Sequence, residues 1–211
     1  RDEEDQMPSF DFAHCIRSKT SGYLQGIDDT ELMEFAKSHQ AVIRLLRRPG
    51  DFIRENEPIA DATRIEGWCD DHADHVCHGF AIGFSRTPTQ DAFFILNEFV
   101  EVATRALSPG VNDPFTAMQC IDWLSVGLVK LSRRQLPSTR RVDSDGNVRI
   151  ITTKVNHTSF VDSMLGQLVP YAKGDENVRD YFVESMNKVT SISENPDLNH
   201  LINEQVDRIQ S

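Results

Sequence analysis

No stretch of this sequence approaches the roughly 18 consecutive apolar residues that a membrane-crossing helix requires. The longest candidates, around Ala92–Leu96 and Leu124–Leu131, are short and interrupted by polar groups. Positive charge is also scarce: 22 Lys and Arg stand against 33 Asp and Glu, for a net charge of −11. That balance argues against a nucleic-acid binder, because phosphate backbones need a basic surface, and equally against docking on an anionic membrane surface. Only four cysteines occur, Cys15, Cys69, Cys77 and Cys120. Their spacing makes no disulfide framework, and a chain of this size does not need one. We read them as reduced thiols, mostly core, which favours a reducing compartment. A Gly-x-Ser-x-Gly nucleophile elbow, a Gly-x-x-x-x-Gly-Lys phosphate loop and a His-Glu-x-x-His helix are all missing, so the familiar hydrolase, nucleotide and zinc-protease signatures do not apply. No motif asks for a cofactor.

What is present suits an ordinary globular chain: 211 residues, 39% hydrophobic and 26% charged, enough for one domain or two small ones sharing an interface. Residues 1–12 form an acidic leader. The chain opens Arg-Asp-Glu-Glu-Asp-Gln without an initiator methionine, so we expect a piece of a longer protein. Residues 13–63 read as a β-rich unit with one helix. Ser21–Ile27 alternates like a strand, and Asp28 then caps a helix with Glu31 as the reciprocal partner. Leu32, Phe35 and Ala36 form that helix's buried stripe. Ala41–Leu46 resumes a strand, and Arg48-Pro49-Gly50-Asp51 is a turn, since Pro presets φ and Gly accepts positive φ.

Residues 64–211 read as a helical body interrupted by a hairpin near 140–153. Trp68, His72, His75, Val76 and Phe80 recur at helical spacing. Thr87-Pro88-Thr89-Gln90 predicts a helix start with Thr87 as N-cap and Gln90 closing the box; Phe93, Leu96, Val100, Ala103 and Leu107 would be its buried face. Asp113-Pro114 predicts another start, followed by a stripe of Ala117, Ile121, Leu124, Leu128 and Leu131. Asp145-Gly146 is a strong hairpin turn, and Ser159–Ile209 is again helical. The fold class is therefore α+β.

Polar chemistry is densest in segments 85–91 and 105–117. Arg86, Thr87, Gln90 and Asp91 lie in the first; Arg105, Ser108, Asn112, Asp113 and Thr116 lie in the second. Both end at expected helix starts, where free N–H groups and the helix dipole hold anions. The intervening helix, about 20 residues and roughly 30 Å long, separates them unless a fold-back or another chain unites them. Capping accounts for the same residue types without any ligand. Cys69, His72 and His75 could share one helix face as zinc ligands, but no second ligand pair stands at zinc-finger spacing. Asp143-Ser144-Asp145-Gly146-Asn147 echoes a calcium loop, with its glycine too early and the distal Glu missing, so it reads as a hairpin turn.

Several strings resemble one known family in the right order: Ser21–Gln25 with Ile27-Asp28, Arg48–Ile53, Gly83 with Arg86-Thr87 and Gln90-Asp91, and the thirteen-residue run Arg105–Ala117 with Ile121-Asp122 after it. Together they are similar to the soluble part of a bacterial group of membrane proteins, domain of unknown function 2254. The resemblance implies membrane helices ahead of this region, in an even number that would leave it on the cytoplasmic side. It implies no reaction, substrate or catalytic residue. A fainter likeness, of Arg48–Ile53 with Pro58-Ile59 to the turns of lipoyl-type barrel-sandwich modules, is fold-level analogy and lacks the modified lysine.

The expected function is thus a non-catalytic extramembrane domain serving assembly, sensing or regulation of its own membrane helices, in a homo-oligomer, without nucleic acid. The alternative is a hydrolase-type or anion-binding domain in which Asp91 or Asp113 works with Arg86 and Arg105, which requires those groups to converge.

Overall fold

Hydrophobic alternation and cap chemistry carry directly into the architecture. A computed structural model describes residues 10–211; most of the acidic leader, residues 1–9, lies outside the described residues. The strands are β1 (Phe12–Arg17), β2 (Gly22–Ile27), β3 (Ile43–Leu45), β4 (Phe52–Ile53), β5 (Pro58–Thr63), β6 (Phe80–Gly83), β7 (Arg140–Val142) and β8 (Val148–Ile151). The helices are α1 (Asp29–Ser38), α2 (Asp70–His78), α3 (Phe94–Ala106), α4 (Pro114–Ser132), α5 (His157–Val161), α6 (Val169–Ala172), α7 (Glu176–Ile192) and α8 (Pro196–Gln210), with a π-helical turn, Asp162–Gly166, after α5. The chain is of mixed α and β content, and its contacts divide it into two units.

The first unit comprises residues 10–91 and 138–154. One sheet runs β1-β5-β3-β8-β7 and the other β4-β2-β6. All pairings are antiparallel except β3 with β8. The hairpin around Gly146 (φ +83°) therefore joins the sheet of this unit, with Ile43 opposite Ile150. Asp28 caps α1 by accepting from the Thr30 and Glu31 N–H groups, both at 3.0 Å, and Leu32, Phe35 and Ala36 are buried as the spacing predicts. They pack with Ile16, Leu24, Ile53 and Ile59 into one core. Phe80 departs from expectation: it belongs to a strand, not to a continuing helix. Gly79 ends α2, and Phe80 then pairs with Ile27 across β2 and β6.

The second unit comprises residues 92–137 and 155–211. Its core takes the whole predicted stripe of α4, Ala117, Ile121, Leu124, Leu128 and Leu131, together with Val100, Ala103, Phe182, Met186 and Ile202. Asp113, Asp175 and Asn195 cap α4, α7 and α8 through their side chains. Leu96 and Leu107 of the expected α3 face are only partly buried, while Phe93, just before the helix, is buried and stacks on Phe160 with ring centroids 4.7 Å apart.

The cysteines are free but not mostly core. Cys120 is buried, Cys77 half-buried, and Cys15 and Cys69 exposed. Cys15 occupies an outward position in the alternation of β1, which a search for thiols in apolar surroundings does not anticipate. Burial pushes the Cys77 and Cys120 thiols up from their ordinary pKa, away from the reactive thiolate.

Candidate functional site

In the first unit, segment 85–91 is not a helix start. Thr87 caps nothing, and α3 begins only at Phe94. The segment lies instead along the end of β2 and uses its polar side chains to bond that strand's backbone. Gln25 Nε2 donates to Ser85 O at 2.7 Å, and Thr87 Oγ1 donates to Gln25 O at 3.4 Å. The Gln90 amide accepts from Ile27 N at 2.9 Å and donates to Ile27 O at 3.1 Å. Gln90 thereby supplies the hydrogen bonds a neighbouring strand would have made, which competes directly with the capping box its spacing suggested.

Asp91 is buried, with a side chain 2% exposed. Its Oδ2 accepts from Arg86 Nε at 2.9 Å and from Arg86 Nη2 at 2.5 Å. The turn 48–51 closes over the pair. Gly50 N donates to Leu24 O at 2.8 Å, Gly50 has φ +98°, and a Cβ added there would run into the Asp91 carboxylate. Two reasons thus converge on glycine at one position. Arg86 and Asp91, read from sequence as ligand candidates, face each other inside a braced turn.

In the second unit, segment 105–117 is the tight connection from α3 to α4. Ser108 Oγ donates to Arg105 O at 2.7 Å, Asn112 N to Ser108 O at 2.9 Å, and Asp113 N to Ala106 O at 2.9 Å. Asn112 takes the left-handed conformation, φ +48°, which asparagine tolerates better than most residues. Asp113 accepts from Thr116 N at 3.2 Å and Thr116 Oγ1 at 2.6 Å. Those two bonds hold its carboxyl below the usual range. The positive end of α4 is therefore occupied by the chain's own carboxylate. Arg105, exposed, pairs with Glu101 one turn back, as their spacing of four allows. Asp91 and Asp113, the two candidate acids, belong to different units.

The zinc candidates are otherwise employed. His72 Nδ1 lies 3.2 Å from Cys69 N and 3.1 Å from Cys69 Sγ, and its ring stacks on Trp68, which stacks in turn on His14 at 4.2 Å. His75 faces Glu31 at 3.8 Å. Among the described residues no group of three or more His, Cys, Asp or Glu is arranged to hold a metal ion.

A second buried ion pair was not among the sequence candidates. Asp143, its side chain 1% exposed, accepts from Arg149 Nε at 2.8 Å. It also accepts from the Asp145 and Asn147 N–H groups at 3.0 and 2.9 Å. Arg149 and these donors hold the Asp143 carboxyl far below the usual range. The calcium-like spacing was the available signal: an aspartate heading a tight turn bonds the backbone two and four residues on. A second feature with little sequence signature is a cavity of about 350 Å³ within the second unit, with Gly127 in its wall. A glycine at mid-helix is the trace it leaves in the sequence.

Against known proteins, a family model described as "Predicted membrane protein (DUF2254)" matches residues 1–188. Uncharacterized proteins of Mycobacterium tuberculosis and Mycobacterium bovis are 34% identical over 139 residues, covering 61% of this chain and 25% of each relative. The chain thus spans about a quarter of the length of the curated relatives it matches. No solved structure matches it significantly. Among the described residues no helix is long and apolar enough to cross a membrane.

Proposed function

Because this chain belongs to the predicted membrane protein family DUF2254, we propose that it is a non-catalytic extramembrane domain serving assembly, sensing or regulation of the family's membrane part, on the cytoplasmic side. The observation that carries this reading is the employment of the polar candidates. Arg86 is spent on Asp91, Gln90 on Ile27, Arg105 on Glu101, and Asp113 on Thr116. A general acid, base or nucleophile must instead present a proton or lone pair toward a substrate. The apolar stripe of α4 supports the extramembrane part of the reading, because it is consumed by the unit's own core rather than turned outward to lipid.

The contact surface we assign is the outer face of α4. Phe115, Trp123 and Val126 are 75%, 62% and 43% exposed, and at 100° per residue they fall within one stripe of the helix. Large exposed apolar patches mark interaction sites. The occupant proposed is the remainder of the same polypeptide, since the matched segment is 25% of each relative and the rest of their length lies outside it; association of copies through this face is the other outcome to be measured.

The test is a turnover screen of the purified chain on p-nitrophenyl esters, phosphates and glycosides, with Asp113→Asn and Asp91→Asn alongside. No activity above buffer in any of the three proteins is expected. Hydrolysis by the wild-type chain that disappears in either variant while the fold is retained would overturn the reading.

A further inference from the structure

The second unit contains a cavity of about 350 Å³ bounded by α3, α4, α5 and the π-helical turn. Its wall is formed by Leu96, Gly127, Phe160 and Met164, and Lys130 and Arg134 stand at its edge. The volume lies at the small end of the range for ligand sites. Gly127 is what keeps the space open. A Cβ there would meet Met164 Cε at 3.2 Å and Leu96 Cδ2 at 3.9 Å, so any larger side chain would grow into the cavity. Glycine at mid-helix is disfavoured relative to alanine, and here it maintains room rather than a turn. Met164 sits in the π-helical turn, a rare geometry that recurs at functional positions. That turn is tied to α3 by Ser163 Oγ donating to Asn97 Oδ1 at 2.6 Å.

The charge at the edge is opposite to that of the chain. Lys130 in the last turn of α4 and Arg134, two residues beyond its end, both line the cavity. Both are exposed, and neither has a salt bridge or side-chain hydrogen bond among the described residues. An excess of 33 acidic over 22 basic residues offers many carboxylates, yet these two cations are left without one. An apolar hollow with paired cations at its edge is complementary to a molecule with a hydrocarbon tail and an anionic head: the tail leaves water, while the head gains charge-assisted hydrogen bonds.

We propose that this cavity binds a medium-chain fatty carboxylate, with the tail over Gly127 and Met164 and the carboxylate between Lys130 and Arg134. The site adds a ligand to the sensing role proposed above but rests on the cavity alone, so its failure would leave the extramembrane, non-catalytic reading standing.

The test is calorimetric titration of the 211-residue chain with decanoate and, separately, with decanol. Saturable binding of one decanoate per chain is expected, about tenfold or more tighter than decanol. Lys130→Glu with Arg134→Glu lies on the surface and retains the fold; it is expected to weaken decanoate about tenfold or more and leave decanol unchanged. Gly127→Leu is expected to abolish both. Should that variant unfold, Met164→Phe narrows the same space from the other wall and carries the same expectation. Absence of saturable decanoate binding would overturn the proposal, as would binding that survives the filling variants. Equal binding of decanoate and decanol, or an unchanged response to charge reversal, would overturn the role of the two cations and with it the carboxylate specificity.

Discussion

The side-chain amide of Gln90 and the backbone of Ile27 are joined by two hydrogen bonds in opposite directions, one from Ile27 N at 2.9 Å and one to Ile27 O at 3.1 Å. Sixty-three residues apart in sequence, they make a contact that a strand would otherwise supply, and they fix the path of segment 85–91. Gln90→Ala leaves an N–H and a carbonyl of β2 without partners in a partly buried place, and is expected to cost about 1–3 kcal/mol in urea denaturation. Gln90→Glu keeps the acceptor but loses the donor and sets a carboxylate against the Ile27 carbonyl, so it also destabilises. A change within about 0.3 kcal/mol for both, inside the noise of distant surface substitutions, would mean that the amide does not hold this segment.

Gly50 and Asp91 are expected to fail in a characteristic way. Gly50→Ala meets both a positive φ and the Asp91 carboxylate, and a loss of about 1–3 kcal/mol follows. Arg86→Ala leaves the buried carboxylate without its guanidinium and is expected to cost about 2–4 kcal/mol. Replacing both Arg86 and Asp91 by apolar residues should be milder than Arg86→Ala alone, because no charge then stays buried. A double substitution that is the worst of the set would contradict the pairing.

Acid sensitivity centres on Asp143 and Asp113. Both carboxyls are held below their ordinary value, by Arg149 and by Thr116 respectively. A carboxyl depressed in the folded state stabilises the fold at pH above its unfolded value, about 3.9. That stabilisation is lost as pH falls through the folded value. Stability should therefore decline from about pH 5 downward, and Asp143→Asn should flatten that decline while lowering stability at pH 7. Midpoints of denaturation at pH 7, 5 and 3 measure both effects. An unchanged slope in Asp143→Asn would show that other groups govern the acid limb.

The outer face of α4 makes a prediction of the opposite kind. Phe115→Glu and Trp123→Glu alter exposed side chains, so the stability of the isolated chain should move by no more than about 0.5 kcal/mol. Association should suffer instead. Native mass spectrometry of the chain, with and without these substitutions, distinguishes the occupants: multimers lost on substitution mean that copies meet through α4, and a monomer throughout leaves the face for the rest of the polypeptide. A large loss of stability in either variant would mean that the face is part of the core.

Much of the fold was legible because local chemistry and tertiary structure agree. Asp28, Asp113 and Asp145-Gly146 act as their spacing says, and the stripe of α4 is buried residue for residue. Legibility failed where a side chain had two possible employers. Thr87 and Gln90 match a capping box, but the end of β2 that the two-residue β4 leaves unpaired offers them backbone partners from a distant part of the chain, and no local pattern reports it. Phe80 fits a helical period and a strand equally well; Gly79 and the pairing with Ile27 decide it. The candidate polar residues stand in two dense segments of the sequence, but their grouping by unit, their internal pairings and the cavity beside Gly127 depend on contacts between elements far apart in sequence.

The central claim is that this region projects from a membrane protein on the cytoplasmic side, and the exposed thiols of Cys15 and Cys69 give a direct measurement. In cells producing the full-length protein, a membrane-impermeant maleimide is applied to intact cells and to inside-out vesicles, with Cys15→Ser and Cys69→Ser as controls. The account predicts labelling of both thiols in inside-out vesicles and none in intact cells. Labelling in intact cells would place the domain on the outer side, and no labelling from either side without detergent would contradict an extramembrane domain altogether.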